Sequence, residues 1–229
     1  MDMRQKRNIP ALSEAECTLL REKTVAVIGC GGLGGYLIEH LARLGVGTIR
    51  CVDGDVFEES NLNRQLLCTV SQLGTSKAQA AADRIRAIDP QIQVKAYPVF
   101  MDAANARELI KGCDAVLDAL DSIAARKLLA QACKAEEIPY IYGAVSGWTA
   151  QAAICMPSED FMEKLYPEEA VSENKSVLSF TPSLCASIQT ALCVKLLTGR
   201  PVQTGVLCYA DLLYDEYEQM KLQQMQVSL

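Results

Sequence analysis

The sequence lacks two features on which many active sites depend. It has a single histidine, and none of its ten cysteines lies in a C-x-x-C pair. One histidine cannot supply the His–Cys or Ser–His–Asp arrangements of nucleophilic enzymes, and we expect His40, on a predicted helix, to be structural. Without C-x-x-C pairs we predict neither a zinc site of that kind nor a disulfide scaffold.

Basic charge, long apolar runs and an export signal are also missing. Lysine and arginine number 22 against 28 aspartate and glutamate, and the resulting net charge of −6 does not favour nucleic-acid binding. The apolar segment 183–198 is only sixteen residues long and contains a lysine, which argues against a membrane span. The opening residues contain no apolar stretch of signal-peptide length. We therefore expect a cytoplasmic protein with free thiols.

Strand-like and helix-like segments alternate along the 229 residues, half of which are hydrophobic. This alternation is typical of βαβ units, so we predict an α/β fold with a Rossmann-like, mostly parallel sheet flanked by helices. After Gly143 the alternation of strands and helices changes, and further strands are expected to extend the sheet antiparallel. The predicted strands are 24–29, 48–53, 93–99, 114–120, 138–144, 149–156, 206–211 and 212–220. The predicted helices are 12–23, 35–45, 76–89, 102–112, 122–137 and 183–198.

A glycine loop follows the first predicted strand. Gly29, Gly31 and Gly34 match G-x-G-x-x-G between a strand and a helix, where backbone amides can approach a phosphate closely. Asp53 ends the second predicted strand and suits a carboxylate that holds ribose hydroxyls. These residues predict a nucleotide site and, taken alone, would suggest NAD.

Two cations behind this loop favour a different chemistry. The segment 61–65, Asn-Leu-Asn-Arg-Gln, follows Asp53 closely, and Lys77 opens the next predicted helix. Hydride transfer needs no such pair of cations, whereas charge on a triphosphate and on departing pyrophosphate must be stabilised. Arg64 and Lys77 therefore favour adenylyl transfer.

The motifs GCGGLGG, DGDVFEESNLNRQ and LDALDS, with Lys77 between the second and third, resemble the ThiF/MoeB/HesA enzymes, bacterial relatives of ubiquitin-activating enzymes. The resemblance covers roughly residues 4–220. It implies a single adenylation domain over 1–229, with a nucleotide-binding half at 24–144 and a carrier-binding half at 145–229. A crossover loop at about 157–182 would pass over the carrier's tail.

The activity implied by this resemblance is ATP- and Mg²⁺-dependent adenylation. The substrate would be the C-terminal glycine of a small ubiquitin-like sulfur carrier with a β-grasp fold, similar to ThiS or MoaD. Pyrophosphate would be released, and the enzyme would be a homodimer.

The resemblance also assigns site residues one position at a time. Gly32 would lie beside the phosphates, Asp53 would bind ribose, and Asp121 would hold Mg²⁺. Asp121 could instead cap the helix at 122–137. Arg7 resembles an arginine that family dimers insert into the neighbouring active site, although a basic N-terminal segment is often only solvated. The implied catalytic residues are Arg7, Arg64, Lys77 and Asp121. The implied nucleotide-binding residues are Gly29, Gly31, Gly32, Gly34, Asp53, Asn61, Arg64, Gln65, Lys77, Asp121 and Ser122.

The sequence departs from the family pattern at three places. Many members hold a structural zinc with two C-x-x-C pairs, which are absent here, so we predict no zinc. Ser172 stands where relatives that link the carrier through cysteine have that residue, and Cys155 or Cys185 would be weak substitutes. Ser122 replaces the asparagine usual after the Mg²⁺ aspartate.

Other functions remain open on the sequence alone. A related enzyme could adenylate a non-protein carboxylate, for example on modified tRNA. An NAD-dependent oxidoreductase would explain the glycine loop and Asp53 but not the two cations. A non-catalytic partner subunit would keep the fold without needing Arg64, Lys77 and Asp121. Trp148 either lines the groove for the carrier's tail or packs within a turn, and the acidic segment 157–175 either contacts the carrier or is merely solvated.

Overall fold

The computed structural model describes residues 3–166 and 176–221. Eight strands form one sheet in the order β3-β2-β1-β4-β5-β6-β7-β8. The strands are β1 (Thr24–Ile28), β2 (Thr48–Val52), β3 (Gln93–Tyr97), β4 (Ala115–Asp118), β5 (Tyr140–Ser146), β6 (Thr149–Cys155), β7 (Val206–Asp211) and β8 (Glu216–Lys221). The helices are α1 (Glu14–Glu22), α2 (Gly32–Leu44), α3 (Lys77–Ile88), α4 (Ala106–Ile110), α5 (Ile123–Ala135), α6 (Phe161–Leu165) and α7 (Phe180–Leu197). The short 3₁₀ helices are Met3–Asn8, Glu59–Asn61 and Val70–Gln72.

Strand pairing confirms the predicted fold class. Strands β3, β2, β1, β4 and β5 are parallel, and β6, β7 and β8 are added antiparallel beyond β5. The chain leaves β1 towards β2 and β3 on one side, and later returns to β4 and β5 on the other side. Strands β1 and β4 therefore flank a topological switch point, where open α/β sheets bind ligands at their carboxyl ends.

Helices cover both faces of the sheet. One apolar cluster joins α1, α2, α3 and α7, for example through Leu37, Ile85 and Cys193. The second cluster lies on the opposite face and joins α4, α5 and α6, for example through Ile110 and Leu129. This three-layer arrangement holds the glycine loop and the β4 end rigidly against each other.

Helix α2 begins earlier than the predicted 35–45, because the glycines of the loop already belong to its first turn. It starts at Gly32, with Gly31 as N-cap, and ends at Leu44, with Gly45 as C-cap at φ 81°. Helix α1 begins with a capping box, in which the Ser13 hydroxyl accepts a hydrogen bond from the Glu16 amide and the Glu16 carboxylate accepts one from the Ser13 amide.

Three other predicted segments were wrong in extent. The predicted helix 102–112 is only α4, because Asp102 and Asn105 bond to each other's backbone amides in a turn. The predicted strand 212–220 begins with a turn that contains Asp215 at φ 57°, so β8 starts at Glu216. The unpatterned segment 157–182 includes α6, and its residues 167–175 lie outside the described part of the chain.

Helix α7 is longer than the predicted 183–198, since it begins at Phe180. Over its 18 residues it is apolar and long enough to cross a membrane by composition alone, and half of that window is buried inside the fold. Its buried residues face α2 on one side and strands β5 and β6 on the other. It is thus a core helix of this domain. Three of its polar residues are also buried, namely Thr181, Gln189 and Thr190.

Candidate active site

At the switch point the backbone of the glycine loop passes close to the first turn of α2 and to the residue after β4. A Cβ atom on Gly34 would lie 1.8 Å from the Gly29 carbonyl oxygen, and one on Gly29 would lie 2.5 Å from the Ala119 carbonyl oxygen. Gly29 also adopts φ 97°, which side-chain-bearing residues rarely tolerate. Gly31 supplies no side-chain cap to α2, so the amides of the first turn are available to an anion.

Asp53 fixes the loop to the end of β2. Its carboxylate accepts hydrogen bonds from the Cys30 amide (2.7 Å) and from the Asp55 amide (2.8 Å). Burial raises the pKa of Asp53, and these two amides oppose that shift. The carboxylate is therefore placed beside the glycine loop, as a ribose-binding role requires.

Lys77 is a nearly buried cation at the start of α3. The residue is 7% exposed, and its ammonium group donates to the Asp55 carboxylate at 3.2 Å. The Lys77 amide also donates to the Asp55 carbonyl oxygen at 3.0 Å. We call the region between the glycine loop, residues 61–65 and Lys77 the crevice. Since Asp55 is more than half exposed, an anionic ligand that entered the crevice could share this ammonium group.

Arg64 and Gln65 line the opposite wall, beside the glycines. Arg64 has its Cγ atom 3.6 Å from the position of a Cβ on Gly32, and its guanidinium group donates to the Ser60 carbonyl and to Asn63. Gln65 is 7% exposed and lies against Gly31. Its Oε1 atom is buried and has no hydrogen-bond partner among the described residues.

Asn61 has a structural role in the same segment. Its side-chain oxygen accepts a hydrogen bond from the Glu58 amide at 3.1 Å, and the side chain is buried. This bond shapes the 3₁₀ turn that carries Arg64 and Gln65. The resemblance implied that Asn61 lines the phosphate path, whereas the structure shows its side chain buried in the turn that precedes Arg64 and Gln65.

The turn after β4 carries Asp121 and Ser122. Ser122 is the N-cap of α5, and its hydroxyl accepts a hydrogen bond from the Ala125 amide at 3.2 Å. Helix capping is thus performed by Ser122, and Asp121 is exposed at the mouth of the crevice. Among the described residues no group of three or more His, Cys, Asp or Glu side chains converges on a metal position, so any Mg²⁺ here would need ligands from the nucleotide.

Arg7 is not brought together with these residues. Its 3₁₀ helix packs at the far end of α2, where the Gln5 side chain lies 2.9 Å from the position of a Cβ on Gly45. Asp89 anchors the same segment through an ion pair with Arg4 (3.4 Å), and Arg21 on α1 bonds to both Asp89 (2.6 Å) and Gln5 (3.2 Å). Thirteen residues of α2 separate this end from the glycine loop, roughly 20 Å at 1.5 Å per residue.

Comparisons with known proteins agree with this geometry. A sequence model of the ThiF family matches residues 3–228. The chain belongs to the ThiF family. It is 35% identical to the SAMP-activating enzyme E1 of Haloferax volcanii over 184 residues, covering 78% of this chain and 68% of that protein. It is 37% identical to the probable adenylyltransferase/sulfurtransferase MoeZ of Mycobacterium tuberculosis over 205 residues, covering 83% of this chain and 52% of that protein.

A solved structure supports the fold of this ThiF-family chain. E. coli MccB, crystallised with succinimide, superposes with a TM-score of 0.83 at 18% identity, covering 97% of this chain and 72% of MccB. Identity at that level shows the shared fold alone. The chain spans about half the length of MoeZ, so relatives of this kind contain a further region that is not matched here.

An exposed aromatic pair lies next to the crevice of the ThiF-family domain. The rings of Trp148 and Phe180 are 5.1 Å apart, and both residues are about 40% exposed. The Thr181 hydroxyl ties this corner to the β5–β6 turn by donating to the Gly147 carbonyl, and Pro182 approaches Gly32. The rings are tilted by 53°, and this half-exposed pair is compatible with both predicted roles of Trp148, in a groove or packed within a turn.

Sequence reasoning missed a buried polar cluster behind the turn after β4. Arg126 on α5 and Gln189 on α7 are both buried and bond to backbone oxygens of the turn or its strand, and Asp118 lies between them. The available signal was the spacing of Arg126 with Leu129 and Cys133, which places a charged residue on the buried face of its helix.

Proposed function

We propose that the chain is an ATP-dependent adenylyltransferase that activates the C-terminal glycine carboxylate of a small ubiquitin-like sulfur carrier. The observation that carries this proposal is a nearly buried lysine linked to the glycine loop: Lys77 bonds to Asp55, and the Asp55 and Cys30 amides both bond to the Asp53 carboxylate. The names of the relatives agree with it, since they describe a SAMP-activating E1 and an adenylyltransferase/sulfurtransferase.

The crevice fits a nucleotide triphosphate on two structural grounds. Cβ atoms on Gly31 and Gly32 would project towards Gln65 and Arg64, so the glycines keep open a cradle that a side chain would fill. The partnerless Gln65 Oε1, or the amide nitrogen if the group is flipped, is a buried polar atom that a ligand could satisfy.

The chain's own residues would act by positioning and by electrostatics. The carrier's carboxylate is already an anion, so its attack on the α-phosphorus of ATP needs no general base. Lys77, Arg64 and the first-turn amides of α2 would stabilise the charge that grows on the phosphates as pyrophosphate leaves. Asp53 would hold the ribose and keep the loop in place through the Cys30 amide.

Asp121 would hold Mg²⁺ together with the phosphates. Its exposed carboxylate at the end of a strand is a hard oxygen ligand, and Ser122 leaves it free of helix capping. When bound, Mg²⁺ would neutralise phosphate charge. We place the reaction in the cytoplasm, because all ten cysteines are free thiols and suit a reducing compartment.

Thermal stability with different nucleotides tests this proposal without knowledge of the carrier. Mg²⁺-ATP at 100 times its dissociation constant should stabilise the protein by about 2.7 kcal/mol, whereas NAD⁺ should not. Asp121→Asn should remove most of the extra protection that Mg²⁺ adds to ATP. Asp83→Asn changes an exposed carboxylate on α3 and should behave as wild type. Protection by NAD⁺ alone would overturn the proposal in favour of an oxidoreductase.

We also infer a homodimer in which Arg7 completes the partner's site. Arg7 lies at the end of α2 opposite to its own glycine loop, so it can serve a crevice only in a second copy. For the contact to be reciprocal, two α2 helices would lie antiparallel across a two-fold axis. A groove of about 490 Å³ beside this segment, between α2 and α7, is lined by residues that include Asn8, Leu12 and Leu44, and a second copy could cover it.

Mixing two inactive variants tests the shared site. Arg7→Ala and Lys77→Ala should each be inactive as homodimers in ATP–pyrophosphate exchange with a ThiS- or MoaD-like carrier. After subunit exchange, half of the dimers carry one intact site, so about a quarter of wild-type activity should return. Light scattering should give twice the chain mass of 24.9 kDa. A monomer, or no recovery on mixing, would contradict the dimer.

A further inference from the structure

Three buried polar residues lie directly behind the turn that carries Asp121. Asp118 ends β4 and is fully buried, Arg126 lies on α5 and is 7% exposed, and Gln189 lies on α7 and is fully buried. We call them the buried polar cluster. Two of these three would carry full charges in the absence of neighbours, and burial of charges is costly unless they are paired and hydrogen-bonded.

The cluster holds both backbone groups of Leu120, the residue before Asp121. The Leu120 amide donates to the Asp118 carboxylate at 2.8 Å, and the Leu120 carbonyl accepts from the Arg126 guanidinium group at 2.5 Å. The Gln189 side chain donates to the Asp118 carbonyl at 2.9 Å. These bonds fix the peptide units on the N-terminal side of Asp121, and with them the position of its backbone at the end of β4.

An arginine at position 126 can bond to two backbone oxygens at once, which a lysine could not do in this geometry. Its second nitrogen donates to the Gly143 carbonyl on β5 at 2.8 Å, and its plane lies 5.4 Å from the centre of the Tyr142 ring. The Asp118 carboxylate is 3.8 Å away and is bonded instead to the Tyr140 hydroxyl. The guanidinium group thus bridges two backbone oxygens of different segments, and a single ammonium group could not reproduce this fork.

An ordinary structural ion pair would not look like this. The contact between Arg126 and the Asp118 carboxylate is long and not bidentate. The short hydrogen bonds of Arg126 go instead to the backbone oxygens of Leu120 and Gly143. A pair of apolar residues would fill the same space at no cost of charge burial. The contacts of Arg126 therefore serve the geometry of the turn more than the stability of the core.

We propose that Arg126 is a positioning residue that aims the Asp121 carboxylate at the metal–nucleotide complex. This inference rests on the proposed function, because it requires that Asp121 binds the metal. Arg126 touches neither nucleotide nor metal. It holds the Leu120 carbonyl, and Asp118 holds the Leu120 amide, so that the following carboxylate meets the ion without reorganisation. Removal of such supporting contacts typically lowers metal affinity by 10- to 100-fold.

The test measures metal affinity separately from nucleotide affinity. Mn²⁺ serves as the probe, and its binding to the protein–ATP complex is followed by the electron paramagnetic resonance signal of free Mn²⁺. ATP affinity is measured by calorimetry without metal. Arg126→Lys should weaken Mn²⁺ binding about tenfold and leave metal-free ATP affinity unchanged. Arg126→Gln is a second variant in case the lysine variant folds poorly.

Two further variants make the outcomes distinguishable. Tyr142→Phe keeps the ring beside the guanidinium group and loses only its hydroxyl, so its Mn²⁺ affinity should match wild type. Asp121→Asn should weaken Mn²⁺ binding at least as much as Arg126→Lys. If only the melting temperature falls in the Arg126 variants, while Asp121→Asn still weakens Mn²⁺, the positioning role is wrong and the proposed function stands. If Asp121→Asn does not change the affinity for Mn²⁺, the metal-binding role proposed for Asp121 is wrong, and the positioning role of Arg126 is wrong with it.

Discussion

Replacing Lys77 by alanine should lower the rate of ATP–pyrophosphate exchange by about 10³-fold, equivalent to about 4 kcal/mol of transition-state stabilisation. The Lys77 residue is 7% exposed, so water could not easily take the place of its ammonium group beside bound phosphates. Its partner Asp55 is more than half exposed, so loss of the ion pair itself should reduce stability by only about 1 kcal/mol. The measurement is exchange of labelled pyrophosphate into ATP, in the presence of a ThiS- or MoaD-like carrier.

A second lysine variant serves as the control, because it distinguishes loss of the Lys77 ammonium group from a change in the net charge of the protein. Lys95 on β3 is exposed at the edge of the sheet, so Lys95→Ala changes net charge equally and should keep full activity. The Lys77 variant should also retain a melting temperature close to that of wild type. Normal exchange by a folded Lys77→Ala protein would exclude adenylyl transfer as the reaction supported by this crevice.

Gly34→Ala should abolish ATP binding and destabilise the fold by about 3 kcal/mol or more. The new methyl group would lie 1.8 Å from the Gly29 carbonyl oxygen and 2.7 Å from its carbon. Both are backbone atoms, so relief requires that the loop and α2 move apart. Such movement displaces the first-turn amides from the phosphate position. Urea denaturation and ATP calorimetry measure the two effects.

The neighbouring glycine is the control. Gly35 also lies in the first turns of α2, but a Cβ there meets the Leu67 side chain no closer than 3.4 Å. Alanine is favoured over glycine in a helix by up to about 1 kcal/mol, so Gly35→Ala should be neutral or slightly stabilising. If Gly34→Ala and Gly35→Ala had equal effects, the close contact at Gly34 would not be what sets the conformation of the glycine loop.

The sequence predicted the fold and the crevice where local signals were strong. The glycine loop, Asp53 and Lys77 lie at strand or helix ends marked by clear periodicity, and parallel strands bring such ends to one edge. The resemblance to known motifs supplied Asp121 and Arg64. These residues lie where expected, although their roles in binding stay predictions.

Other parts could not be predicted because their signals are tertiary. Helix α7 is packed between a sheet and another helix, so apolar residues surround it and its start at Phe180 shows no periodic pattern. The spacing of Arg126 with Leu129 and Cys133 indicates the buried face of α5, but its partners, the Gly143 and Leu120 carbonyls, come from other segments and have no local signal. The separation of Arg7 from its own crevice follows from packing against Gly45, which no local pattern encodes.

The contact of α7 with the crevice also has a consequence for biosynthesis on the ribosome. Strands β1 to β5 can pair as soon as residues up to 146 have emerged, but Gln189 holds the Asp118 carbonyl and Pro182 lies against Gly32. Synthesis runs from the N-terminus, so α7 leaves the ribosome after the strands and the glycine loop that it contacts. Whatever the order in which the strands pair, the surroundings of the glycine loop cannot be complete until α7 has left the exit tunnel.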